Sequence, residues 1–167
     1  VDLPADFSAA ADQPASAAEA LTARIATAPR PDVAALAALI EHLGLAPVRL
    51  LAWGETSQLA LRLTVQRPDL VRRLAVIGPL PACDVLPGRT GLAVLGTLAT
   101  PLLILQGDDE ALDIAHSAAL TRTVPDGRLA VLPGPSYLLP AAKPDLVGLI
   151  LLEFFEEDSP LGRSAVH

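Results

Sequence analysis

Hydrophobic residues occur along the chain in short runs, some with helical spacing and some almost continuous. The first clear helical pattern follows Pro31 and ends at Gly44, a residue typical of helix C-termini; its apolar positions are Val33, Leu36, Leu39, Ile40 and Leu43. Residues 47–53 are apolar almost throughout, which predicts a strand covered on both faces. A helix followed directly by a buried strand is therefore expected.

The same alternation continues to the end of the chain. Strands are predicted over residues 74–77, 102–105 and 128–132, and helices over residues 56–66, 92–98, 113–123 and 144–157. Strands that alternate with helices through short turns form right-handed crossovers and a parallel sheet. The predicted fold class is therefore α/β, with a mostly parallel sheet and helices on both faces.

The segments at the two ends differ from this pattern. Residues 1–30 are rich in Ala with scattered Pro, and a Ser-x-x-Glu capping box predicts a short helix over residues 17–27 within them. The residues after Asp158 show no periodic pattern. We therefore expect an irregular segment over residues 1–30, a domain over residues 31–158 and a loose tail over residues 159–167.

Composition excludes several classes of partner. The net charge of -7 argues against nucleic acid or an anionic membrane surface. No apolar run approaches the roughly 20 residues of a membrane span; the densest, Leu149 to Leu152, ends at Glu153. Cys83 is the only cysteine, so no intrachain disulfide is possible, and no signal peptide pattern opens the sequence. We expect a soluble cytoplasmic protein.

Motifs for a metal or a cofactor are not found. One acidic cluster lacks the spacing of an EF-hand and is more typical of a solvated turn at the start of a helix; it comprises Asp108, Asp109, Glu110 and Asp113. No cofactor and no metal are therefore expected.

Four segments resemble the α/β-hydrolases, in the order that the family has them. Residues 48–63 resemble the strand, the G-x-S-x-G elbow and the helix that carry the nucleophile. Residues 67–79 resemble the family's next strand, residues 101–110 the strand and turn of the catalytic acid, and residues 132–145 the histidine loop and the last helix. The resemblance runs from about Asp32 to Glu157 and implies an α/β-hydrolase-like domain.

The same resemblance implies that two members of the catalytic triad are replaced. Gly54 falls at the nucleophile position, and Ala52 and Thr56 replace the glycines that flank it. Glu110 falls at the acid position, where a carboxylate would orient an imidazole. Tyr137 falls at the histidine position, and a phenol with a pKa near 10 cannot shuttle protons at neutral pH as imidazole does.

Residues 1–4 resemble the D-x-P end of the family's fourth strand. The resemblance then implies a chain without the family's first strands, without a large cap and without the loop that forms half of the oxyanion hole. Since the strand before the elbow is central in the family, Val48 to Trp53 would become an exposed edge. Such an edge predicts pairing with a second copy or with a missing chain segment.

Other residues could supply the missing chemistry. Ser57 and Ser136 are alternative nucleophiles, but a polar residue at a helix start and a Pro-Ser turn explain them more simply. The three histidines, His42, His116 and His167, are more typical of surface or boundary positions. A pocket for a small apolar ligand, lined by Trp53, Glu55 and Tyr137, is a further hypothesis.

Two functions follow from these observations. The first is a catalytically inactive α/β-hydrolase homologue, a pseudoenzyme or a hydrolase fragment, that binds a ligand or a partner. The alternative is an active hydrolase of ester, C–C or C–X bonds with altered catalytic residues, because fold alone does not determine function.

Overall fold

The computed structural model describes residues 32–78, 94–108 and 114–157, which belong to one compact unit. The chain begins with α1 (Val33–His42), β1 (Val48–Trp53), α2 (Thr56–Gln66) and β2 (Val71–Ile77), and continues with β3 (Leu102–Gly107), α3 (Ile114–Thr123) and β4 (Gly127–Leu132). A 3₁₀ turn (Ser136–Leu138), α4 (Leu139–Ala142) and α5 (Pro144–Glu156) complete the described residues.

The described strands form one sheet in the order β1-β2-β3-β4, and every neighbouring pair is parallel. This confirms the predicted α/β class. The helix predicted over residues 56–66 has those bounds, whereas β2 begins three residues earlier than predicted, at Val71, and β3 continues to Gly107. The 3₁₀ turn and α4 were not predicted. The short helix predicted over residues 17–27 and the predicted tail lie outside the described residues.

Successive residues of each strand face opposite sides of the sheet, so the core has two layers. On the first side, Leu74, Val76 and Ile104 pack with Ile40 of α1 and Leu61 of α2. On the second side, the neighbouring strand residues pack under α4 and α5; these are Ala75, Ile77, Leu103, Leu105 and Leu132, against Leu139, Val147 and Phe154. Helices therefore cover both faces, as predicted.

The prediction that β1 is covered on both faces is wrong. Ala52 is buried, but Leu51 and Trp53, which face the other side, are 47% and 49% exposed. Their register partners in β2, Ala75 and Ile77, are buried. The reason is that the side chains of α5 pack over β2, β3 and β4, so the second face of β1 has no helix of the described residues above it.

Ion pairs join the end of α5 to the amino-terminal ends of β2 and β4. Arg128 donates hydrogen bonds of 2.7 and 2.5 Å to Glu157, and the buried guanidinium of Arg73 donates one of 3.3 Å. Both guanidinium groups also lie over the ring of Phe154, at 5.1 Å for Arg73 and 5.6 Å for Arg128. The hydrogen bonds from Arg128 hold the pKa of the Glu157 carboxyl below its ordinary value.

A second charged group joins α1 to the turn before β2. Arg67 donates hydrogen bonds to Glu41, at 2.6 Å, and to Asp69, at 2.7 and 3.0 Å. The hydrogen bonds from Arg67 lower the pKa of Asp69. Among the described helices, none is both long enough and apolar enough to cross a membrane.

Candidate active site at the carboxyl ends of the strands

A tight turn joins β1 to α2 and carries Gly54 at its apex. Gly54 has a φ of +60°, a conformation that L side chains adopt only with strain. Its amide donates to the carbonyl of Ile77 at 3.1 Å, and its carbonyl accepts the amide of Ser57 at 3.1 Å. A Cβ atom built on Gly54 would meet no atom within 4 Å. The turn therefore presents an open apex without a side chain.

Thr56 stabilises this turn with its side chain. Its hydroxyl accepts the amide of Trp53 at 3.1 Å and donates to the Trp53 carbonyl at 2.9 Å. It holds the strand end against the first turn of the helix.

The loop after β4 is pinned to the end of β3 by two hydrogen bonds. The Gly107 amide donates to the Ser136 hydroxyl at 2.7 Å, and the Gly134 amide donates to the Asp108 carboxylate at 2.7 Å. Packing here is too close for any side chain at position 107, since a Cβ on Gly107 would lie 1.8 Å from the Gly134 carbonyl oxygen. These contacts determine where the following residue, Tyr137, is placed.

Tyr137 lies in the 3₁₀ turn and is 64% exposed. The apex of the first turn and this loop are both adjacent to the end of β2. Gly54 is hydrogen-bonded to Ile77, while a Cβ on Gly78 would lie 4.0 Å from that of Ser136. The positions predicted for the nucleophile and the base thus lie at the same edge of the sheet, as expected for parallel strands.

The third predicted position, Glu110, lies outside the described residues, as do Asp109 and Asp113 of the acidic cluster. Asp108 is exposed, and its carboxylate accepts a hydrogen bond from the Gly134 amide in the loop after β4. Over residues 32–78, 94–108 and 114–157, no group of three or more His, Cys, Asp or Glu residues could hold a metal ion.

Both alternative nucleophiles are buried. Ser57 is 2% exposed, and its hydroxyl has no hydrogen-bond partner among the described residues. Ser136 is 3% exposed, and its hydroxyl accepts the Gly107 amide. Neither oxygen is accessible to a substrate in this conformation. The sequence predicted a polar residue at the helix start and a turn residue, but it did not predict their burial.

The remaining predicted residues lie on the surface or near it. His42 is exposed in the last turn of α1, before β1, and so lies at the opposite end of the sheet from Gly54. His116 is half-buried in the first turn of α3, and His167 is outside the described residues. Trp53 and Glu55 are exposed beside the apex. The three residues predicted to line a ligand pocket, Trp53, Glu55 and Tyr137, are thus all exposed.

The fold and the order of these elements match solved structures. The chain has the α/β-hydrolase fold. It is similar to a predicted CIB-like hydrolase from Thermoplasma acidophilum, with a TM-score of 0.62 and 18% identity over 75% of this chain and 60% of that chain.

Two further structures match over similar lengths. For an α/β-hydrolase enzyme from the sediment metagenome of the Mar Chica lagoon in Morocco, the TM-score is 0.65 with 17% identity over 75% of this chain and 68% of that chain. For the 2-hydroxy-6-oxo-6-phenylhexa-2,4-dienoate hydrolase of a Rhodococcus species, the TM-score is 0.61 with 14% identity over 74% of this chain and 69% of that chain. No protein-family model and no curated protein matches the sequence.

Proposed function

We propose that this chain is a catalytically inactive α/β-hydrolase homologue that acts by binding a ligand or a partner. The observation that carries the proposal is Gly54, which occupies the apex of the strand-turn-helix with a φ of +60° and no side chain. In α/β-hydrolases this turn lifts the nucleophilic oxygen into the pocket. A glycine there leaves no atom that could attack a substrate.

Tyr137 supports the same proposal. It follows Ser136 in the loop after β4, at the position where the family resemblance expects histidine. A tyrosine at this position does not supply the imidazole that the family uses as its general base. Even with a nucleophile at position 54, the chain would lack a general base at this position.

The turn can persist without catalysis because its stability does not depend on a nucleophile. Gly adopts a positive φ at little steric cost, whereas Ser would be strained. The hydrogen bonds of Thr56 with Trp53 and of Gly54 with Ile77 stabilise the turn without a side chain at position 54. Replacement of a catalytic serine by glycine would therefore relieve strain while keeping the fold.

The first experiment measures hydrolysis of activated esters and labelling by a fluorophosphonate probe. We expect no saturable turnover and no labelling. Ser57→Ala and Ser136→Ala are matched controls, because each removes one of the remaining candidate nucleophiles. Saturable turnover that either substitution abolishes would instead support the alternative, an active hydrolase of ester, C–C or C–X bonds.

The second experiment restores the missing groups. A Cβ at position 54 meets no atom within 4 Å, so Gly54→Ser fits sterically. We expect the double variant Gly54→Ser, Tyr137→His to gain slow fluorophosphonate labelling at position 54. Gly54→Ala with Tyr137→His is the matched control and should stay unlabelled. Labelling of both double variants would contradict the assignment of Gly54 to the nucleophile position.

A small apolar ligand is the form of binding that the exposed aromatic residues favour. Trp53 and Tyr137 are the only tryptophan and tyrosine of the chain, and both are largely exposed at the carboxyl edge of the sheet. Trp53 emission therefore reports on this edge alone. Titration with medium-chain fatty acids should shift this emission saturably to shorter wavelength, less so in Tyr137→Ala; no saturable shift with any apolar compound would contradict a ligand here.

A further inference from the structure

The outer edge of β1 carries backbone groups that no described strand pairs with. The amides of Val48 and Gly54 donate inward, to Leu70 at 2.8 Å and to Ile77 at 3.1 Å. In a parallel strand, alternate residues direct both backbone groups to the same side. The N–H and C=O groups of the odd-numbered residues of β1 therefore point to the outer edge.

The two ends of this edge offer fewer backbone groups to a partner than its centre does. The hydroxyl of Thr56 is hydrogen-bonded to both the amide and the carbonyl of Trp53. At the other end, Pro47 has no amide proton to donate. Among the described residues of this edge, Arg49 and Leu51, at the centre of the strand, are therefore the positions that offer both an amide and a carbonyl to a partner.

We propose that a second copy of this chain pairs antiparallel with this edge, with the two-fold axis at Leu50. Arg49 of each copy then lies opposite Leu51 of the other, and the two reciprocal pairs make four hydrogen bonds. Pro47, which has no amide proton, lies opposite Trp53, whose amide and carbonyl are both hydrogen-bonded to Thr56. An axis at Leu51 would instead require the Trp53 amide, which Thr56 holds.

Side chains on the same face of the two copies become cross-strand neighbours in this register. On the uncovered face, β1 presents apolar Leu51 and Trp53 and one charge, Arg49. Arg49 lies diagonal to Trp53 of the second copy, within reach of a cation–π contact. On the other face, the half-buried Leu50 of each copy meets its equivalent. A second copy thus pairs the outward-facing backbone groups of Arg49 and Leu51 and gives Leu51 and Trp53 cross-strand neighbours.

Sedimentation of the full chain tests the pairing, and its outcome is independent of whether the chain is catalytically inactive. The parent chain should sediment as a dimer, and Leu51→Lys as a folded monomer, since Lys at an edge opposes strand addition. Leu149→Lys, at an exposed leucine of α5, is the matched control and should remain a dimer. A monomeric parent, or a Leu51→Lys variant that stays dimeric, would overturn the proposal.

Cross-linking tests the register. In a Cys83→Ser background, which removes the only cysteine, Leu50→Cys and Leu51→Cys are compared under mild oxidation. Across the axis, position 50 of the two copies forms a non-hydrogen-bonded pair with Cα atoms about 4.5 Å apart, within disulfide range. Leu50→Cys should form the covalent dimer. Preferential cross-linking through position 51, or no cross-linking at either position, would overturn the proposed pairing.

Discussion

The backbone amide of Gly107 donates a 2.7 Å hydrogen bond to the hydroxyl of Ser136, 29 residues further along the chain. Both groups are buried, so the bond satisfies an amide that water cannot reach. It joins the end of β3 to the loop that presents Tyr137. The placement of one candidate catalytic position therefore depends on a neighbouring serine that is not itself catalytic.

Ser136→Ala should destabilise the protein because it leaves the Gly107 amide without a partner. An unsatisfied buried amide costs about 1–3 kcal/mol. Chemical denaturation, followed by Trp53 fluorescence and circular dichroism, measures the free energy of unfolding. Ser136→Thr keeps the hydroxyl and is the comparison; equal stability of Ser136→Ala and the parent would show that the bond contributes nothing.

Ser57→Ala should have the opposite effect. The Ser57 hydroxyl is buried without a hydrogen-bond partner among the described residues, so its removal relieves a desolvation cost. We expect an increase of about 1 kcal/mol in the free energy of unfolding. Ser117→Ala is the matched control, because Ser117 is also buried in a helix but donates a hydrogen bond to Gln106. That variant should be less stable than the parent.

Gly107→Ala should be among the most damaging small substitutions. Its Cβ would lie 1.8 Å from the Gly134 carbonyl oxygen and 2.7 Å from the Ser136 amide, both of which are backbone atoms. The loop would have to move away from β3, at a cost of about 3 kcal/mol or more. Gly148→Ala, within α5 and with no atom within 4 Å, is the control and should stabilise by up to about 1 kcal/mol. Similar melting temperatures for the two variants would contradict the close packing.

Gly54→Ala separates conformational strain from steric overlap. The position is open, but its φ of +60° costs an L residue about 1–2 kcal/mol. We expect a loss of stability of that size and an unchanged circular dichroism spectrum. The free energy of unfolding is compared with that of Gly148→Ala, where the backbone is helical. An increase in stability at position 54 would mean that the turn has another conformation.

The stability of the folded state should decrease at acidic pH, partly because the Glu157 carboxylate becomes protonated. Hydrogen bonds from Arg128 lower the pKa of its carboxyl in the folded state. The resulting stabilisation is present above the unfolded pKa, about 4.3, and is lost as the pH falls through the folded value. The melting temperature of the parent should therefore exceed that of Glu157→Gln at pH 7, and the difference should shrink below pH 4 or so.

Two comparisons isolate this effect. Asp69, whose pKa Arg67 lowers, loses stabilisation over the same range, but it does so in both proteins and cancels in the difference. Glu153→Gln lies on the same helix, where the structure describes no ion pair for Glu153. Its melting temperature should be close to that of the parent at pH 7; a pH-dependent difference as large as that of Glu157→Gln would exclude Glu157 as the cause.

Much of the fold could be predicted because the hydrophobic pattern of most segments matches the burial of their residues in the structure. Apolar runs bounded by turn residues predicted β1 and β3 to within two residues, and the bounds of α2 were predicted correctly. The alternation of strand and helix is sufficient to imply a parallel sheet, since right-handed crossovers leave few other arrangements. The sequence also predicted that Gly54 and Tyr137 follow strands, which places them at one edge of the sheet.

The sequence by itself thus determined the class of fold and the alternation of its main strands and helices. Only the tertiary structure decided that Leu51 and Trp53 are exposed, that Ser57 and Ser136 are buried, and that Gly107 admits no side chain. The physical reason is that each of these properties depends on residues far away along the chain. The hydrophobic periodicity of a strand shows which of its faces is apolar. Whether a helix covers that face is determined by packing between residues that are distant in the sequence.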